Sequence, residues 1–274
     1  IISIFKDRGL KVKVTAPTGR ASKRISDITG YEATTIHRLL EVAFDEYGST
    51  YFVHDDDNPL KCDVVVVDEV SMVDTVLFKS LLMAISLSCK LILVGDSNQL
   101  PSVSAGNVLK DIIDSNIVDV VELTEIFRQA QESDIVMNAH NILNGRYPTI
   151  LKKDKDFFFF QRLNYSVAQS TVIDLWKNRL PKAYNYSPIE DIQVLSPSRK
   201  GALGVINLNK AMQEVINPHL NGDREVKNSI YTFRVGDKVM QIKNNYDIRW
   251  TKDGRSGLGI YNGDMGIIEK ITSD

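Results

Sequence analysis

The chain has 274 residues, 43% of them hydrophobic and 25% charged, with a formal net charge of −2. That length suffices for two cores, the composition is ordinary for a globular protein in water, and near-neutrality excludes global basicity as a means of holding nucleic acid. Apolar runs fall well short of the ~20 residues that span a bilayer, and no signal peptide is visible, so no membrane partner is expected.

In chain order, Ile1, Ile2 and Phe5 share a helical face, Lys6 and Arg8 lie near its end, and Gly9 reads as the stop. This is expected to be the tail of an amphipathic helix that begins before Ile1. Leu10, Val12 and Val14 alternate as a strand, and Ala16-Pro17-Thr18-Gly19 turns off its end. A helix follows with Ala21, Ile25 and Ile28 on one face, then a shorter one holding Ile36, Leu39 and Leu40. The Tyr-Gly-Ser turn and the aromatics Phe44, Tyr51 and Phe52 predict a protruding hairpin within residues 44 to 60, closed by a solvated acidic loop. Cys62 and Cys89 each lie beside an apolar strand run and read as small core hydrophobes of a reducing, cytoplasmic compartment.

Val64 to Val67 predicts a strand buried on both faces, as in parallel sheets covered by helices. A helix over Val76 to Ile85 links it to a parallel strand at Leu91 to Val94, and another helix starts near Ala105. A short strand at Val120-Val121 precedes a second α/β domain from about Glu122. Its expected elements are a helix over Ile135 to Leu143, strands at Phe157 to Phe160 and Ile192 to Leu195, and helices around Val172 to Trp176 and Leu208 to Ile216. From Phe233 onward short strands broken by Asn262-Gly263 predict a small all-β module.

Chemistry concentrates at five places. Asp68-Glu69 stands at the carboxyl end of the valine strand, where open α/β sheets bind ligands. There the aspartate can hold Mg²⁺ and the glutamate can activate a water; the plain alternative is an acidic helix start. Thr18, Arg20, Lys23 and Arg24 gather where a helix begins after small residues, an environment suited to phosphate of a nucleotide or of a DNA backbone. His37 in Thr35-Ile36-His37-Arg38 is equally a surface helix residue or a DNA contact. Gln99, on the loop after Gly95-Asp96, lies beside the acidic pair if the two strands are neighbours, and could sense a γ-phosphate or place a water. Arg128 in Phe127-Arg128-Gln129 is an interdomain salt-bridge partner or an arginine that stabilises a transferring phosphoryl group.

APTGRASKR, TIHRLL, VVVVDEVSMVD, LILVGDSNQLPSV and LTEIFRQ occur in that order, and with the later SPSRKG and FRVGDKVMQIKNNYD they resemble superfamily 1 DNA helicases of the RecD/TraA group, including the exodeoxyribonuclease V alpha subunit. The resemblance implies an α/β protein: RecA-like parallel sheets with helices on both faces in two domains, plus the start of an SH3-like all-β insertion. The implied domains are 1–121 with a strand-separating pin at about 42–60, 122–225, and 226–274. It further implies an ATP- and Mg²⁺-dependent motor moving 5′ to 3′ on single-stranded DNA, or on DNA with a single-stranded 5′ overhang, in repair or recombination. Partner subunits of a nuclease–helicase complex are a further expectation. In that frame Asp68 ligates Mg²⁺, Glu69 is the general base, Gln99 contacts the γ-phosphate and Arg128 is the arginine finger, while Thr18, Gly19, Arg20, His37, Ser198 and Arg199 lie toward DNA. No stretch reads G-x-x-x-x-G-K-[ST], so these residues alone are expected not to hydrolyse ATP. The competing readings are a non-catalytic nucleic-acid-binding or docking module, and an RNA helicase; Val-Ser-Met after Asp68-Glu69 argues against the latter.

Overall fold

The computed structural model describes residues 1–123, 132–150, 156–220, 224–252, 254–260 and 262–272. The chain divides into two compact units, one of Ile1–Glu125 with Gln241–Asp264, the other of Ile126–Met240 with Met265–Asp274. No described helix is long and apolar enough to cross a membrane.

The first unit is built on a parallel sheet. Its strands are β1 (Val12–Ala16), β2 (Ala33–Thr35), β5 (Val64–Val67) and β6 (Lys90–Leu93), in the order β2-β1-β5-β6. Val14 pairs with Ala33, Val12 with Val64, and Val64 with Lys90, all in parallel register. All four valines of β5 are buried, as their uninterrupted run predicts. Val64 and Val66 pack with Val14 against Ile2, Phe5 and Ile25 of α1 (Ile2–Asp7) and α2 (Gly19–Thr29). Val65 and Val67 face the other way, onto Ile36 and Leu40 of α3 (Ile36–Leu40), Leu77 and Leu81 of α4 (Thr75–Met83), and Leu109 of α5 (Val108–Ser115). Burying each such side chain stabilises by about 1.5–3 kcal/mol, so this two-sided strand is the anchor of the unit.

Caps fix the helix starts. Thr18 Oγ1 accepts from the Ala21 amide at 3.2 Å, Thr35 Oγ1 from Arg38 at 3.2 Å, and Asp74 Oδ1 from Leu77 at 2.8 Å. The expected hairpin is β3 (Val42–Phe44) paired antiparallel with β4 (Thr50–Phe52), its turn held by Asp45 Oδ1 accepting from the Tyr47 and Ser49 amides. Val120-Val121 is exposed and forms no ladder, unlike the expected strand.

A second antiparallel hairpin, β10 (Asn245–Lys252) with β11 (Arg255–Ile260), also belongs to this unit. The Trp250 ring packs against Gly257, its partner across the ladder. A Cβ there would stand 2.2 Å from the ring, so only glycine admits this packing.

In the second unit the helices are α6 (Asp134–Leu143), α7 (Tyr165–Asp174), α8 (Leu180–Tyr184) and α9 (Val205–Ile216). A wide turn at Leu175–Arg179 joins α7 to α8, where Pro181 supplies no amide for a regular helical bond. The buried Trp176 indole donates to the Pro188 carbonyl at 2.7 Å. Asn138 is buried and exchanges both amide hydrogen bonds with Thr149.

Phe157 to Phe160 and Ile192 to Leu195, expected as strands, carry no ladder. A strand is defined by its partner, and here Phe160 instead meets the guanidinium groups of Arg162 and Arg179, each 5.7 Å from its ring centre. The helix expected at Val172 to Trp176 begins earlier, at Tyr165, because Asn164 caps it.

The all-β segment of this unit contains β7 (Glu225–Lys227) paired with β8 (Thr232–Arg234), and β9 (Lys238–Met240) paired with β12 (Met265–Ile267). Of the short strands expected from Phe233 onward, β8 and β9 are separated by a tight turn in which the Asp237 carboxylate accepts from the Arg234 amide. Arg234 is buried and ties this segment to α9: it donates to Glu225 at 2.6 Å, Glu214 at 2.7 Å and the Asn217 carbonyl at 2.8 Å.

Candidate nucleotide site and nucleic-acid face

At the end of β5 the ladder extends by one bond, from the Asp68 amide to the Thr15 carbonyl at 2.9 Å. The chain then reverses sharply. Glu69 adopts a left-handed backbone, φ 54° and ψ 41°, costing a non-glycine residue about 1–2 kcal/mol. Asp68 Oδ1 braces the turn by accepting from the Glu69 amide at 2.9 Å. Such outliers cluster at functional sites, where the surrounding structure enforces them.

The enforcing contacts come from the neighbouring strand. Val94 donates to the Val67 carbonyl at 2.8 Å, and Val70 donates to the Val94 carbonyl at 3.1 Å. The loops after β5 and β6 are thereby joined, as the Gln99 expectation requires. Gly95 makes the approach possible, since a Cβ would lie 3.1 Å from the Val70 nitrogen and 3.3 Å from that of Ser71. The loop bearing Gln99 is held by the Asn98 amide donating to Asp96 Oδ1 and the Gln99 amide donating to the Asp96 carbonyl. Gln99 itself is exposed.

Asp68 and Glu69 border a cleft of about 660 Å³, whose other walls include Ile2 and Ser3 of α1, Arg24 of α2, and Val94. The structure thus brings the acidic pair, one α2 arginine and the start of α1 to one cavity; Gln99 is not among its described lining residues. Arg128 lies outside the described residues. The half-buried carboxylates supply hard oxygen donors of the kind Mg²⁺ takes. Among the described residues no group of three or more acidic, histidine or cysteine side chains could hold a metal by itself.

The residues expected toward DNA lie in both units. Thr18 caps α2, Gly19 is buried, and Arg20 is exposed at the same helix start. Arg20 lays its aliphatic stem over Gly263, and Lys23 pairs with Asp264 at 3.5 Å. His37 sets its ring against Phe52 of the β3–β4 hairpin, centroids 5.8 Å apart. Burial pushes its pKa below the ordinary 6.5, opposed by the Asp74 charge, so the imidazole is neutral at pH 7. Ser198 and Arg199, in the second unit, are exposed on a loop folded onto α9, where their carbonyls accept from the Val205 and Ile206 amides at 3.0 and 3.2 Å.

Two contributors, Gly95 and Phe52, have no counterpart as site residues in the sequence analysis. Gly95 was read only as the end of a strand, and its close approach to Val70 is visible only in three dimensions. Arg24, expected from sequence among the phosphate-suited residues of this helix start, lines the cleft together with Ala21, Ile25 and Ile28 of the same α2 stripe. Phe52, opposite His37, had no local signal beyond its place in the hairpin.

Comparison with known proteins matches residues 1–159 to an AAA domain and residues 208–274 to an ATP-dependent RecD-like DNA helicase SH3 domain. The ATP-dependent RecD2 DNA helicase of Deinococcus radiodurans is 34% identical over 98% of this chain and 34% of its own length. The RecBCD enzyme subunit RecD of Mycolicibacterium smegmatis is 27% identical over 94% of this chain and 48% of its own. The ATP-dependent DNA helicase dda of Enterobacteria phage T4 is 29% identical over 68% of this chain and 45% of its own. The chain therefore spans about a third to a half of the length of these three relatives. With an AAA-domain match over more than half of its residues and a RecD-like DNA helicase SH3 match following it, the chain belongs to the RecD-like helicase family.

Proposed function

We propose that this chain is the motor segment of an ATP-dependent DNA helicase of the RecD/TraA group, which moves 5′ to 3′ along single-stranded DNA in repair or recombination and works in the cytoplasm. The observation that carries the reading is the acidic pair at the carboxyl end of the central parallel strand, locked by hydrogen bonds to the loop after β6.

In this reading Asp68 holds Mg²⁺, and Mg²⁺ bound with the nucleotide neutralises phosphate charge. Glu69 accepts the proton of the attacking water, and its enforced backbone keeps that carboxylate from drifting. Gln99, on the loop pinned beside it, contacts the γ-phosphate or orients the water. Arg128 reaches the transferring phosphoryl group as the arginine finger. Thr18, Gly19, Arg20, His37, Ser198 and Arg199 face DNA, the cationic side chains toward phosphate and the neutral His37 ring as a hydrogen-bonding or stacking surface. The domains are 1–121 with the pin at about 42–60, 122–225, and an SH3-like insertion from 226. Partner subunits of a nuclease–helicase complex accord with the similarity to proteins named as RecBCD subunits.

The test is Glu69→Gln in the full-length protein. ATP binding should persist while DNA-stimulated turnover falls by about 10²–10⁴-fold, the usual contribution of a general base. Unwinding at the unmodified rate would reject Glu69 as base. A non-catalytic docking module would instead bind single-stranded DNA with no response to this substitution and no turnover in the full-length protein.

A further inference from the structure

We propose that Cys62 and Cys89 form a redox-active dithiol, which a low-molecular-weight disulfide converts to an intrachain disulfide tying together the amino ends of β5 and β6. The two Sγ atoms are 3.8 Å apart, in direct contact, and both thiols are free. Closing to the ~2 Å of a disulfide asks for side-chain rotation, provided the backbones stand at the right separation. They do so because the two residues flank adjacent parallel strands. Val64 is registered with Lys90, and the Lys90 amide donates to the Asp63 carbonyl at 2.9 Å. Neighbouring strands run ~4.8 Å apart, which brings residues just before the two strands within the Cα range of natural disulfides.

The backbone around each thiol is fixed. The Leu60 amide donates to the Ala84 carbonyl, Asp63 donates to Lys11, and Lys11 returns a bond to the Asp63 carboxylate at 2.7 Å. Cys89 is held by its own amide donating to the Ser86 carbonyl. A dithiol whose main chain is already in place loses little freedom on closing. Metal binding is a poorer use of the pair, since no third ligand stands with it among the described residues.

Exposure orders the chemistry. Cys62 is buried in the core with Leu60, Leu81 and Ala84, whereas Cys89 is partly open to solvent. Cys89 therefore reacts first. It loses its proton to water, and its thiolate attacks RSSR, forming Cys89–S–S–R and releasing RS⁻, which is protonated. Cys62 then loses its proton and attacks the Cys89 sulfur. The Cys62–Cys89 bond forms, the mixed disulfide breaks, and a second RSH leaves. Two electrons pass from the protein thiols to the small disulfide, and atoms balance as two protein thiols plus RSSR giving one protein disulfide plus two RSH. In the dithiol, burial and then the adjacent Cys89 push the Cys62 thiol up to about 12; burial persists once Cys89 is capped, so the second step is the slow one and is accelerated by base.

The test incubates the native chain with oxidised glutathione and reads intact mass and a peptide map after acid quenching. The expected product is a monomer lacking two hydrogens, with the Cys62 and Cys89 peptides joined, formed about tenfold faster for each pH unit between 7 and 9. Dithiothreitol should restore the original mass, and amide hydrogen exchange at Lys90 should be slower in the oxidised form. Cys62→Ser should stop at a glutathione adduct on Cys89, and Cys89→Ser should stay unmodified while folded. Cys62→Ala replaces the serine variant if circular dichroism shows the buried hydroxyl disturbs the fold. A wild-type chain that holds glutathione on Cys89 without linking, pairs between molecules, or leaves both thiols free under native conditions would overturn the proposal.

Discussion

Gly95→Ala tests how the acidic pair is held. The new methyl carbon would stand 2.9 Å from Leu109 Cδ2, 3.1 Å from the Val70 nitrogen and 3.3 Å from the Ser71 nitrogen. Carbon contacts are favourable at about 3.5–4.0 Å, so all three neighbours must retreat. Leu109 can turn its side chain, although it is buried in the core. Val70 cannot move without stretching its 3.1 Å bond to the Val94 carbonyl, which joins the two loops. Overpacking of this size costs about 1–3 kcal/mol, and loss of the bond adds about 1 kcal/mol. Against this, alanine restricts the unfolded chain by about 0.4–1 kcal/mol. The net expectation is destabilisation by about 1–3 kcal/mol, or a Tm fall of about 2–4 °C per kcal/mol, measured by thermal unfolding followed by circular dichroism. In a double-mutant cycle with Leu109→Ala, itself destabilising, the combined loss should fall short of the sum of the two single losses by at least about 0.5 kcal/mol. If Gly95→Ala matches or exceeds the parent in stability, the close packing of these loops is refuted.

Glu69→Gly should raise stability by about 0.5–1 kcal/mol, the left-handed strain relieved less the entropy of glycine, while Glu69→Gln keeps the strain and the Tm. A Glu69→Gly protein that melts earlier than Glu69→Gln would contradict the strain. Thr18→Ala should cost about 1 kcal/mol through loss of the α2 cap, and a urea midpoint unchanged from the parent would show the cap to be idle. The Glu225 carboxyl is held below its ordinary 4.5 by the Arg234 hydrogen bond, so its stabilisation is complete above 4.5 and is lost as pH falls through the lowered value. Arg234→Met should lower Tm at pH 7 and flatten its decline in that acid window; parallel Tm profiles for both proteins would remove the network from the account. Finally, the 274-residue chain alone should show no DNA-stimulated ATP hydrolysis in a phosphate-release assay, and robust turnover would reject the need for a separate phosphate-binding loop.

The first unit was legible wherever one residue pattern served one physical end. Four valines could only be a strand covered on both sides, and Asp68-Glu69 after them followed from where parallel sheets expose their ends. The capping role of Thr18 was hidden beneath its resemblance to a DNA contact, because one hydroxyl suits both. Neither the left-handed Glu69 nor the indispensable bareness of Gly95 has a one-dimensional signature, since each arises from what a neighbouring strand presses against it. The second unit was less transparent. Phe157 to Phe160 has the composition of a strand, yet ladder pairing depends on a partner that local sequence does not name, and two arginines occupy its last ring. The helix from Tyr165 was placed too late because Asn164 was not read as its cap.

The two tryptophans fall one to each unit, and their surroundings differ in kind. Trp176 is enclosed and hydrogen-bonded to a carbonyl, whereas Trp250 lies on the open face of a hairpin, 37% exposed. Their emission should therefore separate, the enclosed indole blue and the open one red and readily quenched by iodide. Replacing either by phenylalanine leaves a single tryptophan, so with excitation at the red edge of the band, where the ten tyrosines do not absorb, melting of each half of the molecule can be timed by light alone, with no label attached.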